Sequence, residues 1–253
     1  MPSRIMPLAP AEISSLGANL RDPVGYRKSG LSLNHIVGCP LDCAYCIRHR
    51  DGNYEMKAPH MLMTDEDAVV HLQKHKYFQR DITPLQILNK ATDGFLPAVE
   101  PHLMRTLELL DAAGLRNHTL IITRYRISED ACRRLNALEH LKVTLLVTYS
   151  GITDHRIEPI ANQIPIASLK LAYAAARQYR VVLYWRPIVP GRNDSSEEIA
   201  TACSLGEHAH AVVFTGLSIT GRLSSILRIA DSHNSIASQP GARYCRSPWR
   251  PAS

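Results

Sequence analysis

From residue 31 to about residue 220 the chain alternates short runs rich in β-branched residues with longer stretches of helical period, and this alternation constrains the fold most. The strand runs are 31–37, 83–89, 118–123, 143–148, 180–187 and 211–215; the helical ones are 65–75, 98–113, 128–138, 166–178 and 195–208. Several helix ends are legible. Thr64 precedes an acidic turn, Gly114 stands where a C-terminal cap belongs, and Asp194-Ser195-Ser196-Glu197 offers a capping box with Asp194 as N-cap. Repeated βα units set strands side by side in parallel. Six of them in about 185 residues predict an α/β fold, a partial (β/α)6 barrel, because a closed eight-fold barrel takes roughly 250 residues. Residues 1–30, with four prolines, read as an irregular lead-in, 31–220 as the barrel core, and 221–253 as an aperiodic Ser-, Arg- and Pro-rich tail able to fold over the barrel mouth.

Three of the six cysteines fall inside eight residues, in Gly38-Cys39-Pro40-Leu41-Asp42-Cys43-Ala44-Tyr45-Cys46, and the others stand alone at Cys132, Cys203 and Cys245. That layout suits a metal site better than a disulfide framework. The loop leaves the first strand, at the carboxyl ends where α/β folds hold cofactors. Three thiolates can wrap three corners of a cubane and leave one iron open. A structural zinc would need a fourth ligand, which His35 or His49 could supply. No run of eighteen apolar residues appears and the N-terminus lacks a secretory pattern, so a cytoplasmic protein without a membrane partner is expected. The formal charge of +6 permits nucleic acid, but the basic residues are scattered, which does not favour it.

The Cys-x3-Cys-x2-Cys spacing with an aromatic residue before the third cysteine resembles the radical S-adenosylmethionine (SAM) superfamily. An ordered series of strand-end motifs extends the likeness: residues 92–100, Thr123-Arg124-Tyr125, Glu158-Pro159 and residues 186–194. Over roughly residues 30–220 these are similar to the spore photoproduct lyase-like branch, although lysine is common there where this chain has Arg124. The resemblance implies a [4Fe–4S] cluster on Cys39, Cys43 and Cys46 as metal ligands, SAM on the open iron, and an external one-electron donor of the flavodoxin or ferredoxin type. It also implies Tyr45 near the adenine, and Thr148 and Ser150 facing SAM.

Thr92, Asp93, Glu100 and Arg124 are polar groups at strand ends, suited to hold SAM or substrate; Thr92 and Asp93 can equally cap the helix after Pro97. Arg186 can grip a carboxylate or phosphate, or merely open the tight turn of Pro187, Pro190 and Gly191. Cys132 and Cys203 read as small core residues. Cys245, between Tyr244 and Arg246, is a candidate hydrogen donor to a substrate radical, with Tyr244 beside it, similar in role to the cysteine of a neomycin-type aminoglycoside epimerase. The compact chain suggests a small, sugar-like substrate and a redox-neutral reaction such as epimerisation, performed by an isomerase or lyase. Nucleic-acid lesion repair and a non-catalytic zinc-binding protein are the alternatives.

Overall fold

A computed structural model describes residues 5–217, except the side chains of Arg50 and Asp51. In chain order the elements are β1 (Met6–Pro7), α1 (Pro10–Ser15), α2 (Ala18–Arg21), β2 (Val24–Arg27), β3 (Gly30–Leu33), β4 (Ile36–Val37), α3 (Arg48–Asp51), β5 (His60–Met61), α4 (Asp65–Gln73), β6 (Leu85–Ile87) and α5 (Glu100–Ala112). There follow β7 (His118–Thr123), α6 (Glu129–Asn136), β8 (Lys142–Tyr149), α7 (Gln163–Ala175), β9 (Arg180–Ile188), α8 (Ser196–Leu205), a 3₁₀ turn (Gly206–His208) and β10 (Ala211–Gly216). The main sheet runs β10-β9-β8-β7-β6-β3-β2. From β3 to β10 every pairing is parallel and each strand lies beside its predecessor in the series. That is the winding expected of an α/β arc in which each helix returns the chain to the next strand.

The expected elements form, with β6 and most helices shorter than expected, α7 three residues earlier, and β8, β9 and β10 one or two residues longer. The run 31–37 divides in two, because Asn34 and His35 turn the chain out of the main sheet. The Asn34 amide donates to Ser32 Oγ at 2.7 Å, and His35 pairs with Asp65, so β4 joins a separate sheet ordered β1-β5-β4. The lead-in is not structureless: β2 pairs antiparallel with β3 and adds a seventh strand, so this sheet begins before residue 31. The capping box of α8 is displaced by one residue. Ser195 is the N-cap, its Oγ accepting from Glu198 N at 3.2 Å while Glu198 accepts from Ser195 N, and Asp194 instead accepts from Gly191 N at 2.7 Å. At α4 Thr64 caps as expected, accepting from Asp67 N at 3.1 Å.

One continuous core lies between the sheet and its helices. Along β7, Ile121 is fully buried in that core while Leu120 and Ile122 on either side face a cavity, the period-two alternation of a strand with two different environments. Cys132, on α6, is part of this core as expected, whereas Cys203 on α8 is exposed. Among the described residues no helix is long and apolar enough to cross a membrane.

Candidate active site

The cysteine loop leaves β4 through Gly38, whose φ of +97° and tight seat admit no side chain: a Cβ there would lie 2.0 Å from Ala58 O. Gly38 N donates to Ala91 O at 3.1 Å and Cys39 N to Met56 O at 2.9 Å, which ties the loop to the end of the next strand unit. Arg48, almost wholly buried, braces the loop from within. Its Nη2 donates to Leu41 O at 2.8 Å and its Nη1 to Met56 O at 3.1 Å and Tyr54 O at 3.2 Å. Arg48 was not among the residues picked from the sequence, where an arginine beside His49 and Arg50 looks like surface charge.

Cys39, Cys43 and Cys46 all line one cavity of about 370 Å³ at the carboxyl ends of the strands. Burial pushes the Cys43 thiol up to about 12 and raises that of Cys39, where Arg48 acts in the opposite sense. Thiols held neutral in this way become thiolates only when a cation compensates their burial. Among the described residues no group of three or more His, Cys, Asp or Glu is placed to hold a single metal ion. A mononuclear zinc would need its sulfurs roughly 3.8 Å apart, from Zn–S bonds of about 2.3 Å in a tetrahedron. A cubane takes its three sulfurs on three separate irons. His35, whose Nε2 lies 2.8 Å from Asp65 Oδ1, is not among the residues that line this cavity.

Around the thiols the strand ends supply the remaining wall. The Arg124 guanidinium, at the end of β7, lies 2.8 Å from Glu158 Oε2, and the Tyr45 hydroxyl hydrogen-bonds to both. Burial opposes the charge of Arg124, but Tyr45, Cys43 and Glu158 around it outweigh that and raise its pKa. Glu158 was noted as part of a strand-end motif but not picked as a site residue. Thr92 and Thr148 line the cavity with hydroxyls that are buried and lack a partner among the described residues. A buried hydroxyl without a partner costs about 1–3 kcal/mol, so these two atoms mark where a polar ligand fits. Arg186 lines the same cavity, its guanidinium over the Tyr184 ring at 4.9 Å.

Three placements differ from expectation. Asp93 borders the cavity, yet its oxygens are committed to Thr123 Oγ1 at 2.7 Å, Arg124 N at 2.9 Å and Phe95 N at 3.0 Å. It caps no helix, since Val99 is the N-cap of α5, and serves to lock the β6 and β7 loops together; burial raises its pKa against those bonds. Glu100 is outside the cavity, drawn to the Ser128 hydroxyl at 3.2 Å in the first turn of α5. Ser150 is also outside the wall: its Oγ accepts from Ile152 N at 3.2 Å and its carbonyl from buried Asn193, which also donates to Pro187 O at 2.8 Å. Asn193 thereby joins the loops after β8 and β9. Tyr244 and Cys245 lie outside the described residues.

The parallel arc that carries this cavity has counterparts among solved structures. A spore photoproduct lyase variant with bound AdoMet and dinucleoside spore photoproduct matches with a TM-score of 0.56 at 11% identity, covering 82% of this chain and 62% of the lyase. A radical SAM methyltransferase from Sphaerobacter thermophilus matches with a TM-score of 0.56 at 16% identity, covering 81% and 65%. The chain has the radical SAM fold. Streptococcus suis SuiB bound to S-adenosylmethionine also matches, with a TM-score of 0.52 at 12% identity, covering 76% of this chain and 41% of SuiB. The chain therefore spans about 62% of the length of the lyase. No family model matches the sequence, and no curated protein matches it significantly. At these identities the likeness is one of fold, a partial α/β barrel, and none of the three structures supports the likeness to an epimerase.

Proposed function

We propose that the chain is a radical SAM enzyme acting on a small polar metabolite. The observation that carries this reading is the convergence of Cys39, Cys43, Cys46 and the partnerless hydroxyls of Thr92 and Thr148 on one cavity, at the strand ends of a radical SAM fold. The donor set fits the implied cofactors: three soft thiols for a [4Fe–4S] cluster, and polar groups lining the same cavity for SAM. When bound and reduced by an external one-electron donor, the cluster supplies the electron that splits SAM to methionine and a 5′-deoxyadenosyl radical.

The chain's own residues do the positioning. Arg48 holds the loop that carries the thiols and lowers the cost of their ionisation; Arg124 places a second positive charge beside Cys43. Tyr45, fixed by Glu158 and Arg124, presents a buried ring on the cysteine side of the cavity. Leu120, Ile122 and Leu146 form an apolar floor that excludes water from the place where a carbon radical would form. Loss of one hydrogen atom from the substrate to the adenosyl radical and donation of another by the Cys245 thiol, with the resulting thiyl radical reduced by the external one-electron donor and protonated from solvent, would leave the substrate's oxidation state unchanged, as in an epimerisation.

Anaerobic incubation with SAM and dithionite should release 5′-deoxyadenosine, and loss of any one of the three loop cysteines should abolish it. A reconstituted protein that holds no iron would overturn the reading. Cys245→Ala should stop solvent deuterium from entering product; unchanged uptake would remove Cys245 from the scheme. A second reading, lesion repair on nucleic acid, is favoured by the dinucleoside photoproduct in the lyase that this fold resembles. Affinity for a lesion-bearing oligonucleotide that falls steeply with salt would support it.

A further inference from the structure

We propose that the substrate is a small anion carrying a phosphate or carboxylate, and that Arg27 and Arg186 hold that group inside the barrel. The proposal rests on the radical SAM reading and names the substrate class for the same cavity. It starts from the arginines of the cavity wall, which are Arg27, Arg48, Arg124 and Arg186. Arg48 is committed to backbone carbonyls beside Cys39, and Arg124 is matched by Glu158. Among the described residues Arg186 reaches only the Tyr184 hydroxyl, at 3.3 Å, and the ring below it. Arg27 has no hydrogen-bond or ion-pair partner among the described residues.

The cofactors do not supply the missing negative charge. Three thiolates around an oxidised cubane leave a single negative charge, SAM adds none when its amino group is neutral on iron, and Arg48, beside Cys39 and bonded only to carbonyls, matches that charge. Asp93, the acid of the wall, already accepts from Thr123, Arg124 N and Phe95 N. Arg27 also borders a second cavity of about 200 Å³ beneath residues 18–22. The acid there, Asp22, is engaged by Val24 N at 2.8 Å and His71 at 3.1 Å. Two half-buried guanidiniums without an acid among the described residues are therefore left for a ligand to neutralise.

The space that a cluster and SAM would leave in this cavity favours a metabolite over a polymer. About 370 Å³ is at the lower end of pockets that enclose a drug-sized molecule. Arg27 stands on β2, which lies outside the six parallel strands and carries none of the strand-end motifs. The added antiparallel strand thus contributes a specificity group to a cavity whose other walls serve the cofactors.

The test titrates the full-length, anaerobically reconstituted protein with inorganic phosphate, ribose 5-phosphate, gluconate and uncharged ribose, by calorimetry and by the shift in thermal melting. At least one anion should bind while ribose does not, and the tighter of the phosphate and carboxylate probes identifies the group. Arg27→Gln and Arg186→Gln should each weaken that binding about 10- to 100-fold, the range of a lost charged hydrogen bond. Arg27→Lys and Arg186→Lys should recover part of it. The proposal is overturned if no anion binds better than ribose to protein that holds its cluster and cleaves SAM, or if neither Gln variant differs from its Lys counterpart. It is also overturned if only a single-stranded oligonucleotide binds, with a steep salt dependence. Anion binding lost in Arg27→Gln on a protein that takes up no iron would leave this site standing and defeat the radical reading instead.

Discussion

Arg124 Nη1 and Glu158 Oε2 stand 2.8 Å apart with side chains only 16% and 4% exposed, so an ion pair is held inside the protein next to Tyr45 and Cys43. Such a pair gains little net stability over apolar residues of the same shape, but removing one partner strands the other. Glu158→Ala is expected to cost about 3–5 kcal/mol, and the double variant Arg124→Met with Glu158→Leu much less. Urea denaturation of the metal-free protein across this double-mutant cycle checks it; a loss in the double variant equal to the sum of the two single losses would mean that the pair is not coupled.

The thiols give a second prediction. Burial holds Cys43 at about 12, so in metal-free protein its alkylation by iodoacetamide should be almost absent between pH 7 and 9 and rise only in strong base. Exposed Cys203 should react first among the described cysteines. Cluster assembly must then displace the Cys43 proton, and iron uptake should release acid, measurable in a weakly buffered solution. Rapid labelling of Cys43 at pH 8 would show that the loop is open in solution.

The parallel arc was legible because most of its strands are runs rich in β-branched residues that bury one face in the core, a signal that survives without tertiary context. The break between β3 and β4 was not, since it depends on partners remote in sequence: His35 finds Asp65, and the chain leaves the sheet to reach it. The cysteine ligand loop could be read from spacing, whereas Glu100 and Ser150 illustrate the limit of that method. Both stand just after strand units, yet Ser128 on α6 and Ile152 N in the next loop offer bonds that no local pattern reveals. Arg27 escaped for a related reason, because a four-residue strand containing Gly25 shows no period that would put its last side chain in a cavity.

Asp65 lies between two imidazoles, with His35 Nε2 and His102 Nδ1 each 2.8 Å from one of its oxygens. Burial alone would raise its pKa, but the two imidazoles outweigh it and hold the carboxyl below the ordinary value. A depressed folded-state pKa stabilises the protein above the unfolded-state pKa and loses that contribution as pH falls through the folded value. Asp65→Asn should therefore cost about 2–4 kcal/mol at pH 7, and the gap to wild type in urea should narrow between pH 5 and pH 3. A gap independent of pH would mean that the carboxylate charge is not what matters.

Thr148 offers a variant in which stability and binding should part. Its hydroxyl is buried and lacks a protein partner, so Thr148→Val removes an unsatisfied polar atom while keeping the branched shape that β8 packs. The metal-free protein is expected to gain up to about 1 kcal/mol, seen as a melting point a few degrees higher. SAM affinity, measured by calorimetry on the reconstituted protein, should fall about 3- to 10-fold for the loss of one neutral hydrogen bond. The opposite signs are the point of the experiment, because a residue that merely packs the strand would lose or gain on both measures together, and a site residue left strained for its ligand gains on the first only by losing on the second.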